Sequence, residues 1–205
     1  MTTSPQMTNH WWWRPGWSTG KRFYTWHLTF LDQPDVHRFA GEYQHALASA
    51  GGLDLIPARW LHLTMQGIGF TEDISEATAL AVAEATRPQL AALHSFGVTL
   101  GTPVVDPEAI LVPVQPAQSV RDLRAAIRGA IGEVLPEVPE NADGFTPHVS
   151  LAYSNSDGSA APFAAAIADA DIAPAKALIS HAELILIHRD HGMYEWSSVA
   201  EIPLG

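Results

Sequence analysis

The chain reads as an α+β fold in which antiparallel sheets carry helices on their outer faces. Strand-period and helix-period segments are mixed without a strict β-α-β alternation, which favours that class. The regions around 61–65 and 147–151 each follow a helix, a weak internal duplication with no short-period repeat and no clear linker. A third observation is a recurring pattern of apolar or Pro, His, apolar, hydroxyl, apolar. It appears as Trp26-His27-Leu28-Thr29-Phe30, Leu61-His62-Leu63-Thr64-Met65 and Pro147-His148-Val149-Ser150-Leu151.

The elements follow from local pattern. Residues 23–31 alternate, with Trp26, Leu28 and Phe30 on one face and Thr25, His27 and Thr29 on the other, which predicts a half-buried strand. Asp32-Gln33-Pro34 opens a helix that runs to Ala50 and stops at Gly51-Gly52. Short strands are expected at 53–56 and 60–67, then an alanine-rich helix over 75–93 with Pro88 as a kink or break. Two strands at 96–100 and 109–115 flank a Gly/Pro loop. A helix over 119–135 places Leu123, Ile127, Ile131 and Leu135 on one face. An acidic, Pro-rich loop at 136–144 leads to a strand at 148–153. After a polar loop at 155–160 come a short helix at 162–170 and a closing pair of strands, 177–187 and 194–202, joined by the turn Arg189-Asp190-His191-Gly192.

Composition narrows the function classes. Hydrophobic residues make up 47% and charged residues 16%, enough to bury a sizeable core in one domain or two small lobes sharing one. Without cysteine there are no disulfides, thiolate nucleophiles or Cys-ligated metals. No apolar run approaches a membrane span and no signal-peptide core opens the chain, so the expected compartment is the cytoplasm. The net charge of −11 opposes a long polyphosphate partner, although a small anionic ligand remains compatible with a local pocket. Residues 1–31 lack Asp and Glu but hold Arg14, Lys21, Arg22 and five tryptophans. Such an arm either stacks a base and holds a phosphate or simply staples itself to the core.

The repeated His and hydroxyl carry chemistry because strand residues i and i+2 share a face. His62 and Thr64 therefore look out together, as do His148 and Ser150, while Leu61, Leu63, Met65, Val149 and Leu151 point into the core. The hydroxyl donates to a phosphate oxygen and the imidazole gives or accepts a proton. Two such strands across a groove would place one histidine on each side of a phosphorus, suited to in-line displacement by general acid–base catalysis without a metal.

These residues resemble the paired H-x-[T/S]-apolar signatures of the two-histidine (2H) phosphoesterase superfamily, which includes the 2′-5′ RNA ligase/cyclic phosphodiesterase group. The resemblance also takes in Phe145-Thr146-Pro147 and Ala152-Tyr153, and the element order fits from about 22 to 204. It implies a bilobal fold, with two pseudo-symmetric antiparallel β-sheets lining a central groove and helices on the outer faces. It also implies metal-independent, cofactor-free chemistry at 2′,3′-cyclic, 1″,2″-cyclic or 2′-5′ phosphodiesters. His62 and His148 would be the acid–base pair, in either assignment, and Thr64 and Ser150 would bind phosphate. The tryptophan-rich arm, 1–21, lies outside the minimal family fold, leaving 22–205 as a single bilobal domain.

Other residues divide between roles. His27 is either groove-lining or a structural hydrogen-bonded histidine. Tyr153 is a packing residue or a ligand contact, and Tyr194 with Trp196 shares a face that either stacks a base or packs. Gly16–Lys21 departs from a phosphate loop in its glycine spacing and in the Arg22 that follows the lysine. His188 and His191 at a turn do not by themselves make a metal site. The expected function is hydrolysis of a small nucleotide-like phosphodiester or RNA terminus, with no long nucleic acid and no membrane partner. A non-catalytic nucleotide or RNA-end binding module is the alternative.

Overall fold

A computed structural model describes residues 5–205, so the first four residues of the predicted arm lie outside it. Two antiparallel sheets are built around a shared interior. The first runs β12-β11-β2-β4, from Glu195–Pro203, His181–His188, Phe23–Thr29 and His62–Phe70. The second runs β10-β5-β7-β8-β3, from Ala175–Ile179, Phe96–Leu100, Ala109–Gln115, His148–Ser154 and Leu53–Leu55, with β6 (Val104–Asp106) paired to β7. A short ladder joins β1 (Gln6–Met7) in the arm to β9 (Gly158–Ser159). Each sheet has its own pair of helices. The pair α2 (Glu76–Ala91) and α3 (Ala117–Val134) packs on β12 and β4, while α1 (Pro34–Leu47) packs on β10 and β8 and α4 (Ala161–Asp169) on α1 and β6. Helices thus cover the sheets' outer faces, and strands β4 and β8 lie against one another between the lobes.

The local reasons are ordinary ones. Pro34 sits in the first turn of α1, where its missing N–H costs nothing. The Ser75 hydroxyl caps α2 by accepting from the Thr78 amide at 3.1 Å. The α2 helix continues through Pro88 to Ala91, so of the kink or break expected there, the break does not occur.

Two other expectations change. The segment read as one strand over 177–187 is two strands separated at Ser180: β10 pairs with β5 in one sheet, β11 with β2 and β12 in the other. Apolar alternation runs through both pieces and carries no mark of a change of sheet. The first strand is also buried on both faces, because β2 lies between β11 and β4: Thr25 is 4% exposed and His27 1%.

Register sets where β4 presents its side chains. Trp26 pairs with Gln66 and His27 with Thr64, so Met65 is an extra residue on β4, a β-bulge. Arg124 of α3, itself buried, donates to the bulged Met65 carbonyl at 2.7 Å and to the carbonyls of Ala142 and Asn141, each at 3.0 Å. One guanidinium thereby joins α3, the bulge and the 135–147 loop. Arg124→Met should lower the unfolding free energy by about 2–4 kcal/mol, because it strands buried carbonyls without donors. Urea unfolding of the two proteins measures this, and a change under about 0.5 kcal/mol would refute it.

Candidate active-site cleft

The strand starts place the two histidines. His62 is the first residue of β4 and His148 the first of β8. In both, Nδ1 lies 2.8 Å from the carbonyl oxygen two residues back, of Trp60 and of Thr146. A carbonyl only accepts, so Nδ1 must carry the proton and Nε2 of the neutral ring must be the free acceptor. The two lobes thus repeat one device that fixes the tautomer and aim of an imidazole.

His62, Thr64, His148 and Ser150 all line one cleft of about 470 Å3, together with His10, Trp17, His27, Glu140, Tyr153 and Tyr194, among others. Leu61, Leu63, Met65, Val149 and Leu151 are buried, as their alternation predicts. His27 reaches the cleft but is almost wholly covered, its ring stacked flat on His62 with centroids 4.3 Å apart. Its Nε2 lies 3.4 Å from the Thr64 hydroxyl, and its Nδ1 is buried without a hydrogen-bond partner among the described residues. Tyr153 is buried and stacks on His10 at 4.3 Å, and burial pushes its hydroxyl pKa up. Tyr194 precedes β12 and lines the cleft, whereas Trp196 packs edge-on against His27, His62 and Trp60 and opens towards a different depression.

The arm supplies groups to which sequence pattern gave no position. Residues 8–21 lie along the cleft, bonded to the 106–108 and 154–157 turns and to Asp190. They contribute His10 and Trp17 to its lining. The basic residues of the arm are already paired, Arg14 with Glu108, Lys21 with Glu72 and Arg22 with Asp190. They therefore do not wait as phosphate ligands. Trp11 is tied to Asp54 at 2.7 Å, while Trp12 and Trp13 are each 49% exposed. Asp106, Glu108 and Glu140 also line the cleft, and no periodicity marks them because all three lie at strand ends or in a loop. Away from the cleft, Glu195 joins His188 and His191, with ligating atoms within 4.8 Å of one another. These residues could hold a metal ion at the β11–β12 turn, with His191 Nδ1 already 2.6 Å from Glu195.

Electrostatics favours neutral rings. Burial pushes the His62 pKa down to about 4; the Trp60 bond opposes the shift and the His148 imidazole adds to it. Burial, then the adjacent His62, holds His27 well below the usual range. At neutral pH both stacked rings are uncharged.

A family model described as the 2′-5′ RNA ligase superfamily matches residues 32–191. The chain belongs to the 2′-5′ RNA ligase superfamily. Solved structures agree on the fold. TT0787 of Thermus thermophilus superposes with a TM-score of 0.67 at 17% identity, covering 90% of this chain and 97% of its own. E. coli LigT in apo form gives 0.62 at 15%, covering 90% and 98%, and LigT complexed with 3′-AMP gives 0.64 at 15% over the same shares. No curated protein sequence matches the chain. The superfamily match begins after β2 and ends before Tyr194, so the arm, His27, Tyr194 and Trp196 all lie outside it.

Acid should destabilise the protein through the buried rings. His62 binds a proton near pH 4 when folded but near 6.5 when unfolded. Its contribution is therefore complete above about pH 6.5 and is lost as pH falls towards 4, on the order of 3 kcal/mol. His62→Asn keeps a donor for the Trp60 carbonyl but cannot titrate. Urea titrations at pH 7 and 4.5 should show a smaller acid loss in the variant, and an equal loss would place the acid sensitivity elsewhere.

Proposed function

We propose that the protein is a metal-independent phosphodiesterase acting on a small nucleotide-like phosphodiester, a 2′,3′-cyclic phosphate or a 2′-5′ linkage. The observation that carries this is the matched pair of imidazoles. Each is held by Nδ1 to the carbonyl two residues back, each leaves Nε2 free, and each stands beside a hydroxyl in one cleft. Thr64 and Ser150 donate to the non-bridging phosphate oxygens. His62, kept neutral by burial, takes the proton of the attacking water at Nε2 as the water oxygen bonds to phosphorus. The P–O bond to one ribose oxygen breaks, and His148, protonated at Nε2, returns a proton to that oxygen. From a 2′,3′-cyclic phosphate the product is a nucleoside monophosphate. His27, stacked on His62, orients that ring rather than carrying the proton. The cleft's small volume suits a nucleotide or an RNA terminus. LigT, complexed with 3′-AMP and with phosphate, adds support through its common fold. The arm, 5–21 in the structure, is in this reading an accessory to a single domain from 22 onwards.

The test is turnover of nucleoside 2′,3′-cyclic phosphates and 2′-5′ dinucleotides with excess chelator. His62→Ala and His148→Ala should each lose about 10²–10⁴-fold in kcat, and His27→Ala distinctly less. Thr64→Val and Ser150→Ala should act mainly on KM. The profile of kcat/KM should be bell-shaped, falling on the acid side as pH drops through about 4, where His62 gains its proton. Activity abolished by chelator, or unaffected by the two alanine variants, would refute the mechanism. Nucleotide binding with no turnover of either substrate class would favour a binding module instead.

A further inference from the structure

Three carboxylates line the cleft, and two of them accept hydrogen bonds. Glu108 accepts from Trp12 and Arg14, and Asp106 accepts from the Glu108 amide. Glu140 differs. Among the described residues its carboxylate accepts no hydrogen bond, and its nearest cation, Arg124, is 3.8 Å away. Its backbone is in the left-handed region, with φ of 60°, an arrangement a non-glycine residue keeps only when its surroundings impose it. Here they do. Pro139 on one side accepts from Gln66 and Arg128, and Asn141 and Ala142 on the other accept from Arg124.

The carboxylate is aimed over β4 at a gap. A Cβ built on Gly67 would lie 2.5 Å from Glu140 Oε1 and 2.9 Å from the Phe23 ring, so only glycine leaves room for both. Phe23 packs against Trp17 of the arm, and both rings line the cleft beside the carboxylate. Gly67 pairs with Thr25 and Thr64 with His27, two residues apart on β2, so the two positions lie about 7 Å apart along the strand, a separation one nucleoside spans. An aromatic pair beside a carboxylate that accepts no hydrogen bond among the described residues suits a flat ring with N–H donors on its edge.

We propose that Glu140, Trp17 and Phe23 form a base subsite that reads the Watson–Crick edge of guanine. This rests on the cleft being a nucleotide phosphodiester site. Guanine alone among the four bases offers two adjacent donors, N1–H and the N2 amino group, to the two oxygens of one carboxylate. Adenine and cytosine set an acceptor beside their amino group, which a carboxylate repels, and uracil flanks its single N–H with carbonyls.

Calorimetric binding of the four nucleoside 3′-monophosphates to the full chain tests the subsite independently of turnover. Guanosine 3′-monophosphate should bind about tenfold or more tighter than the uridine nucleotide. In Glu140→Ala that ratio should fall to about one, and Trp17→Ala should weaken all four alike by about tenfold. Inorganic phosphate, titrated into the same proteins, reports whether the phosphate end still forms. No guanine preference in the wild type, or a preference that survives Glu140→Ala, overturns the proposal while leaving the phosphodiesterase reading intact. Failure of all nucleotides and phosphate to bind overturns both.

Discussion

The buried guanidinium of Arg124 reaches three places at once. It takes the carbonyl that the β4 bulge releases from the ladder, and it takes two carbonyls of the loop that follows α3. The bulge determines that Thr64, not Met65, stands opposite His27 and faces the cleft. The loop carries Glu140 to the lining of the same cleft. A charge held this deep is stabilised because each of its three nitrogens donates a hydrogen bond, so strand register, loop position and helix placement become one cooperative arrangement.

On that scaffold the histidines are positioned by backbone rather than by acidic side chains. Each Nδ1 bonds a carbonyl, which orients the ring through a neutral partner. For His62, burial then dominates and the ring stays neutral. A carboxylate partner would have favoured the imidazolium instead. The stacking of His27 on His62 adds a second neutral ring and further covers the first, which explains why a third histidine motif lies so close to the catalytic candidate.

The arm lies outside the stretch that matches the superfamily. Its match begins at residue 32, yet the described arm residues are bonded to turns of both sheets and wall the cleft. Its cations are neutralised by pairing, and what it brings to the cleft is the rings of His10 and Trp17. The described arm residues therefore bring shape and aromatic surface to the cleft rather than free charge.

Much of this was legible in residue order. Alternation at 61–65 and 147–151 places His and hydroxyl on one side and apolar residues on the other, because strand geometry has a period of two whatever surrounds it. The helices and most strands were equally local decisions of periodicity and capping. The change of sheet at Ser180, the burial of both faces of β2, the continuity of α2 through Pro88 and the ion pairs of the arm were not. Each depends on which distant segment arrives alongside, such as Asp190 beside Arg22 or β11 beside β2. The same holds for Glu140. Residue order shows an acidic loop, and only the packed molecule, with Gly67 bare beneath it and two arginines holding its neighbours, turns one of those acids towards the cleft.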